Sequence, residues 1–167
     1  RIDQLMETMH ILNSTYWGNI GLVVCGVARQ ADYWNVVNKF RNRCAMVDVH
    51  FAGSVTDQQL STYMRGARAY LGMSDHEGLS IPPIEAMSMG VPVVVKGAAA
   101  IPETVGEGAL VLPHNAGPVL AAEAIHEVLN NNRFRWGLIH RGFLRAKELE
   151  NRNSSTRTAE LLLAAAK

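Results

Sequence analysis

A doubly wound α/β domain, with a mainly parallel sheet covered by helices on both faces, is the fold class this sequence predicts. Three observations point there. Short β-branched runs alternate with segments whose apolar residues recur at steps of three and four. Strands separated by helices need crossover connections, which make neighbouring strands parallel and bury both sheet faces. Hydrophobic residues make up 48% of the chain and charged ones 19%, the usage of an ordinary globular domain that can fill such a core. At 167 residues the chain fits one domain.

The elements follow in order. Ile2, Leu5, Met6, Met9 and Leu12 form one helical face. Residues 19–27, NIGLVVCGV, read as a strand buried on both faces and ending near Gly26. Helical spacing returns over 32–44, with Trp34, Val37 and Phe40 inward, and 47–52 is a second strand closed by Gly53. Thr56 with Gln59 makes a capping box for a helix to about Gly66. Third, fourth and fifth strands are expected at 67–73, 91–95 and 109–112, with a helix from about Pro83 to Met89 between the third and fourth. Helices at about 119–129, 133–149 and 155–165 complete the chain.

A formal charge of +1 supplies no global field for nucleic acid or an anionic membrane surface, so any anion must be met locally. Cys25 and Cys44 lack CxxC spacing and sit in apolar segments, as reduced thiols of a cytoplasmic protein would. No run of eighteen apolar residues and no leader pattern is present, and membrane association is not visible. Because the chain opens on Arg1 inside a helical pattern, residues 1–167 are expected to be one domain excised from a longer two-domain protein.

In such folds ligands bind beyond the carboxyl ends of the strands. Ser74 to Glu85, SDHEGLSIPPIE, falls on that edge. Pro82 and Pro83 suit the first turn of a helix, where a missing N–H costs nothing, and Ser80 is placed to cap it. The amides of Gly78, Leu79, Ser80 and Ile81 would then face outward at the positive end of the helix dipole, where an anion is welcome. Glu77 and Glu85 flank that cradle. Carboxylates repel phosphate but accept hydrogen bonds from sugar hydroxyls, so the pattern fits a ligand with hydroxyls on both sides of its phosphates, a nucleotide sugar.

EGLSIPPIEAMSMGVPVV resembles the E-x7-E signature of retaining family 4 glycosyltransferases with the GT-B fold, usually written close to EGFGLPxLEAMAxGxPVV. The likeness continues through AAAIPETVGEGALVLP to the tail helices and back through VHFAGSVTDQQLSTYMRGARAYL. It implies the Rossmann-like carboxy-terminal, donor-binding half of a GT-B enzyme, which transfers a sugar from a nucleotide diphosphate sugar to an acceptor hydroxyl with retention, in glycan, lipid or polysaccharide biosynthesis. The resemblance assigns Glu85 to the ribose hydroxyls and Glu77, as the catalytic position, to hydroxyls of the transferred sugar. It assigns Gly78 to Ser80 to the diphosphate and sugar, and Gly53, Ser54 and Val55, with Gly26 and Val27, to the nucleobase. His76 is a further candidate donor contact beside Glu77.

The family's second glycine is Ser80 here, which narrows the space above the loop. RIDQLME resembles the start of the helix that follows the family's first strand and its phosphate-binding arginine and lysine. First strand, both basic residues and the amino-terminal acceptor domain are therefore expected upstream. The isolated chain should bind donor weakly and lack transferase activity, and the whole protein should be cytoplasmic or peripheral at the inner membrane face. A sugar-nucleotide epimerase and a non-catalytic nucleotide-sugar-binding module are the competing readings.

No metal and no other cofactor is expected, since neither an acidic pair of the DxD type nor a histidine–cysteine cluster appears. Pro102 and Glu103 read as the opening of a short helix, and VGEGA as a turn. In RFRWGLIHRGFLRAK, Leu138, Gly142 and Ala146 recur every four residues for close helix packing, with the arginines on a solvated face.

Overall fold

The computed structural model describes residues 1–16, 19–26, 35, 37–38 and 48–152. Helix α1 (Ile2–Tyr16) leads to β1 (Leu22–Cys25); β2 (Val49–Gly53), α2 (Asp57–Gly66) and β3 (Tyr70–Gly72) follow. Next come α3 (Ile81–Ser88), β4 (Val93–Lys96), α4 (Ile101–Val105), a 3-10 turn (Gly106–Gly108), β5 (Leu110–Leu112), α5 (Pro118–Asn130) and α6 (Asn132–Arg152). The expected helix over 32–44 and the last helix lie almost wholly outside the described residues. Within the former, Val37 is helical and fully buried.

Local hydrogen bonds set the element ends. Thr56 and Gln59 form the expected capping box, with Thr56 N donating to Gln59 Oε1 at 2.9 Å and Gln59 N to Thr56 Oγ1 at 3.3 Å. Asn13 clamps Ile20 from both sides, its Nδ2 donating to the carbonyl at 2.9 Å and its Oδ1 accepting from the amide at 3.1 Å. The ladder of β1 therefore starts two residues later, at Leu22.

Among the described residues every strand pairing is parallel, as the alternation requires. One sheet was the expectation, and here the structure differs: β1–β2 and β3–β4–β5 are separate sheets. Between β1 and β3 lies a cavity of about 910 Å³ that runs from Gly21 and Ala69 to Gly26 and Leu71. The strand expected to be buried on both faces is not, since Val23 of β1 is 47% exposed.

The three-stranded sheet is covered on both faces. Val94 of β4 belongs to one core with Met9 and Leu12 of α1 and Ala121, Ile125 and Val128 of α5. Its neighbours Val93 and Val95 belong to a second core with Met87 of α3 and Ile101 and Val105 of α4. Full burial of one such aliphatic side chain contributes about 1.5–3 kcal/mol. Helix α6 spans both cores, through Leu138 in the first and Ala146 in the second.

Gly142 of α6 packs on the 3-10 turn so closely that a Cβ there would lie 3.0 Å from the Gly108 carbonyl oxygen. The solvated face expected of the arginines of α6 forms only in part: Arg133 and Arg141 are exposed, but Arg145 is partly buried. Arg145 donates to the carbonyls of Thr104 at 3.1 Å and Glu103 at 2.6 Å, and Arg141 to that of Glu107 at 3.1 Å. The carbonyls left over at the end of a short helix and its turn need donors, and guanidinium groups reach them.

Candidate functional site

The strands run outward from the cavity in both directions, β1 then β2 on one side and β3, β4, β5 on the other. The strand order thus reverses there, and the carboxyl end of such a switch point is where open α/β sheets bind ligands. The loop leaving β3 crosses that end. Met73, 2% exposed, anchors it in the core, and residues 74–80 lead to α3.

Ser80 occupies the N-cap position of α3, as expected, but its side chain makes no capping bond. The reason is chemical. A capping hydroxyl accepts from the amide of the second or third helical residue, and those residues are Pro82 and Pro83. Among the described residues no carbonyl accepts from the amides of Gly78, Leu79 or Ser80. Gly78, Leu79 and Ile81 are exposed and Ser80 is buried. With Pro82 and Pro83 lacking an N–H, the amides without a carbonyl partner among the described residues belong mainly to the loop.

Glu77 in the loop and Glu85 in α3 are both partly buried. Among the described residues no donor meets either carboxylate. Both carboxylates act electrostatically on Tyr70. Burial first, then the negative charges of Glu77 and Glu85, push its phenol up to about 12. Its ring lies over the bare face of Gly72, where a Cβ would approach Tyr70 Cε1 to 3.3 Å. His76 is exposed.

At the opposite rim, Gly26 and Gly53 hold left-handed backbone, with φ of 116° and 66°. The Gly26 amide donates to the Gly53 carbonyl at 2.8 Å, joining the two segments expected to meet a nucleobase. Gly26, Ser54 and Val55 line the cavity together with Pro82 and Ala86 of α3, whereas Glu77, Gly78, Leu79, Ser80 and Glu85 are not among the residues that line it. Val27 lies outside the described residues.

Sequence reasoning missed a charged cluster beside the loop. Lys96, the last residue of β4, forms an ion pair with Asp75, whose other oxygen accepts from Arg1 at 2.5 Å. Hydrogen bonding from Lys96 and then Arg1 holds the Asp75 carboxyl at about 2. A lysine ending the apolar run VPVVVK was the available signal, because lysine is seldom buried without a task for its charge. Tyr70 was marked by its spacing from Gly72, two residues on and so on the same face. Among the described residues no group of histidines, cysteines and carboxylates could hold a metal ion. Glu103 takes its place in the first turn of α4, as expected.

The family of glycosyl transferases group 1 matches residues 1–144. The O-antigen chain mannosyltransferase B of Escherichia coli is 33% identical over 110 residues, covering 66% of this chain and 29% of that protein. The chain thus spans less than a third of that relative. The C-terminal domain of a glycosyl transferase group 1 family protein from Francisella tularensis superposes with a TM-score of 0.73 at 15% identity, over 88% of this chain and 77% of that one. The pneumococcal O-GlcNAc transferase GtfA, solved with UDP and GlcNAc, gives 0.73 at 16% identity, over 98% of this chain and 33% of its own. These folds agree with a GT-B carboxy-terminal domain. With the family match running through both the E-x7-E loop and the sheet that carries it, this chain belongs to the glycosyl transferases group 1.

Proposed function

We propose that this chain is the donor-binding domain of a retaining glycosyltransferase that moves a sugar from a nucleotide diphosphate sugar to an acceptor hydroxyl. The observation that carries the reading is one loop at the switch point, where amides at Gly78, Leu79 and Ser80 lie between the carboxylates of Glu77 and Glu85 and none of these groups has a hydrogen-bond partner among the described residues. In this reading Glu85 accepts from the ribose hydroxyls and Glu77 from those of the sugar. The amides, with Ile81 at the head of α3, meet the diphosphate. Gly26, Val27 and Gly53 to Val55 frame the base, and His76 borders the sugar. The relative solved with UDP and GlcNAc and the mannosyltransferase relative support a nucleotide-linked hexose as donor.

The chemistry asked of the protein is orientation and stabilisation of the departing diphosphate. Main-chain dipoles and basic groups supply the positive potential, so turnover should survive chelation of divalent ions. The acceptor belongs to an amino-terminal domain of a longer protein, and the 167-residue chain alone should not turn over. The slot between β1 and β3 supports a first strand contributed by chain preceding Arg1. A cytoplasmic enzyme, peripheral at the inner face of the membrane, suits such a donor; among the described residues no helix is long and apolar enough to cross a membrane.

Hydrogen bonds to a charged group contribute about 1.5–3 kcal/mol, so Glu85→Ala should weaken nucleoside diphosphate binding by roughly tenfold to a hundredfold. Calorimetric titration of the full-length protein with UDP, GDP and ADP reads this directly. Unchanged affinity in the variant would refute the ribose assignment. Glu77→Gln should lower turnover more than nucleotide affinity, in an assay of sugar release from the donor.

A further inference from the structure

Lys96 stands at the carboxyl end of β4, and its side chain is only 4% exposed. Burying an ammonium is costly unless its donors are used. It carries three, and Asp75 Oδ1 takes one. Among the described residues no second acceptor meets it. Asp75, in contrast, is 48% exposed and shared with Arg1, itself bonded to Asp3 at 3.0 Å. The structure therefore keeps a sheltered cation with spare donors, countered by a half-exposed carboxylate in the loop that also carries the amides of Gly78 to Ser80, which have no carbonyl partner among the described residues.

We propose that Lys96 is a further anion-binding residue of this site, contacting the diphosphate of the donor, and that Asp75 is a resident counter-ion which the phosphate oxygens displace. The inference rests on the nucleotide-sugar reading above. Phosphate and carboxylate oxygens offer the ammonium similar acceptors, but the phosphates bring more charge and further acceptors for the spare N–H groups. The formal charges of Lys96, Arg1, Asp75 and Asp3 cancel, so the pair attracts an anion only when Asp75 yields. Asp75 then lowers affinity for the diphosphate, which is the opposite of what a purely structural latch would do.

The test is titration of the full-length protein with UDP, GDP, ADP and inorganic pyrophosphate, and with uridine, guanosine and adenosine. Lys96→Met should weaken diphosphate binding about tenfold or more while leaving nucleoside affinity unchanged. Asp75→Asn should strengthen diphosphate binding severalfold, and keeps the question decidable if Lys96→Met does not fold. Diphosphate affinity that is unchanged in Lys96→Met, or reduced in Asp75→Asn, overturns the proposal and leaves only a latch. Failure of every diphosphate, pyrophosphate included, to bind the parent protein overturns it too. Failure of the nucleotide-sugar reading looks different: Glu85→Ala would bind nucleosides and diphosphates like the parent, while the pyrophosphate arm still reports on Lys96.

Discussion

Asp75 joins three parts of the chain: the loop it belongs to, β4 through Lys96 and α1 through Arg1. Its folded value of about 2 lies below the ordinary 3.8. A depressed carboxyl stabilises the fold above its unfolded value, and that contribution disappears as pH falls through the folded one. The window is therefore about pH 4 down to pH 2. Denaturant midpoints of the parent and Asp75→Asn should differ at pH 5 and the gap should shrink steeply toward pH 2; a gap undiminished at pH 2 would mean that the ionised form is not what stabilises. Partial exposure of Asp75 keeps the effect small. At this scale the sequence was only partly legible. The position of Glu77, Glu85 and the loop glycine at the edge after β3 could be read from spacing, because the strand and the prolines that open α3 bracket them in the sequence. The partnership of Lys96 with Asp75 could not, since 21 positions separate them and only the sheet brings them together. The failure of Ser80 to cap was legible in principle, because both amides it could have accepted from belong to prolines.

Elements were predicted well in type and order but not in length, and the shortfall has one cause. Apolar runs continue past the residues whose backbone groups are free to join a ladder. The Ala67 amide closes α2 by donating to the Met64 carbonyl at 3.0 Å, and the Val91 amide closes α3 through the Ala86 carbonyl at 3.0 Å. Strands β3 and β4 accordingly begin at Tyr70 and Val93, later than their hydrophobic runs do. Packing between elements was foreshadowed by the small residue of α6. A Cβ on Gly108 would fall 2.8 Å from Met87 Sδ and 2.9 Å from Arg145 Cβ, and one on Gly142 would meet the Gly108 carbonyl at 3.0 Å. Overpacking of this kind costs about 1–3 kcal/mol. Gly142→Ala should lower the melting temperature by several degrees, and shortening Met87 should not rescue it because the nearest obstacle is main chain. In Gly108→Ala the sulfur is the nearest atom, so truncating Met87 should relieve part of the strain. The capping box of α2 gives a smaller effect: Thr56→Ala should destabilise by about 1 kcal/mol in denaturant titration.

On the scale of the molecule, alternation in the sequence predicted parallel pairing but not the division into two sheets. Periodicity reports which faces a strand buries; it is silent about the neighbour along each edge. Helix α1 starts beside the carboxyl end of β3, where Arg1 meets Asp75, and feeds β1 through the Asn13 clamp. If a strand precedes α1, a right-handed crossover through α1 places it parallel to β1 and beside it. That position is the cavity between β1 and β3, walled by Leu22 and Val24 on one side and Ala69 and Leu71 on the other. In the longer protein proposed above, chain preceding Arg1 would fill it, uniting both sheets and fixing Gly26 against the loop after β3. Hydrogen exchange of the longer protein should then show slow amides throughout Leu22–Cys25 and Tyr70–Gly72, while the 167-residue chain exchanges faster at these strands and binds a hydrophobic dye that the longer protein excludes. Equal exchange in the two proteins would show that the slot stays open, and the donor cleft would then have to work with its central strand absent.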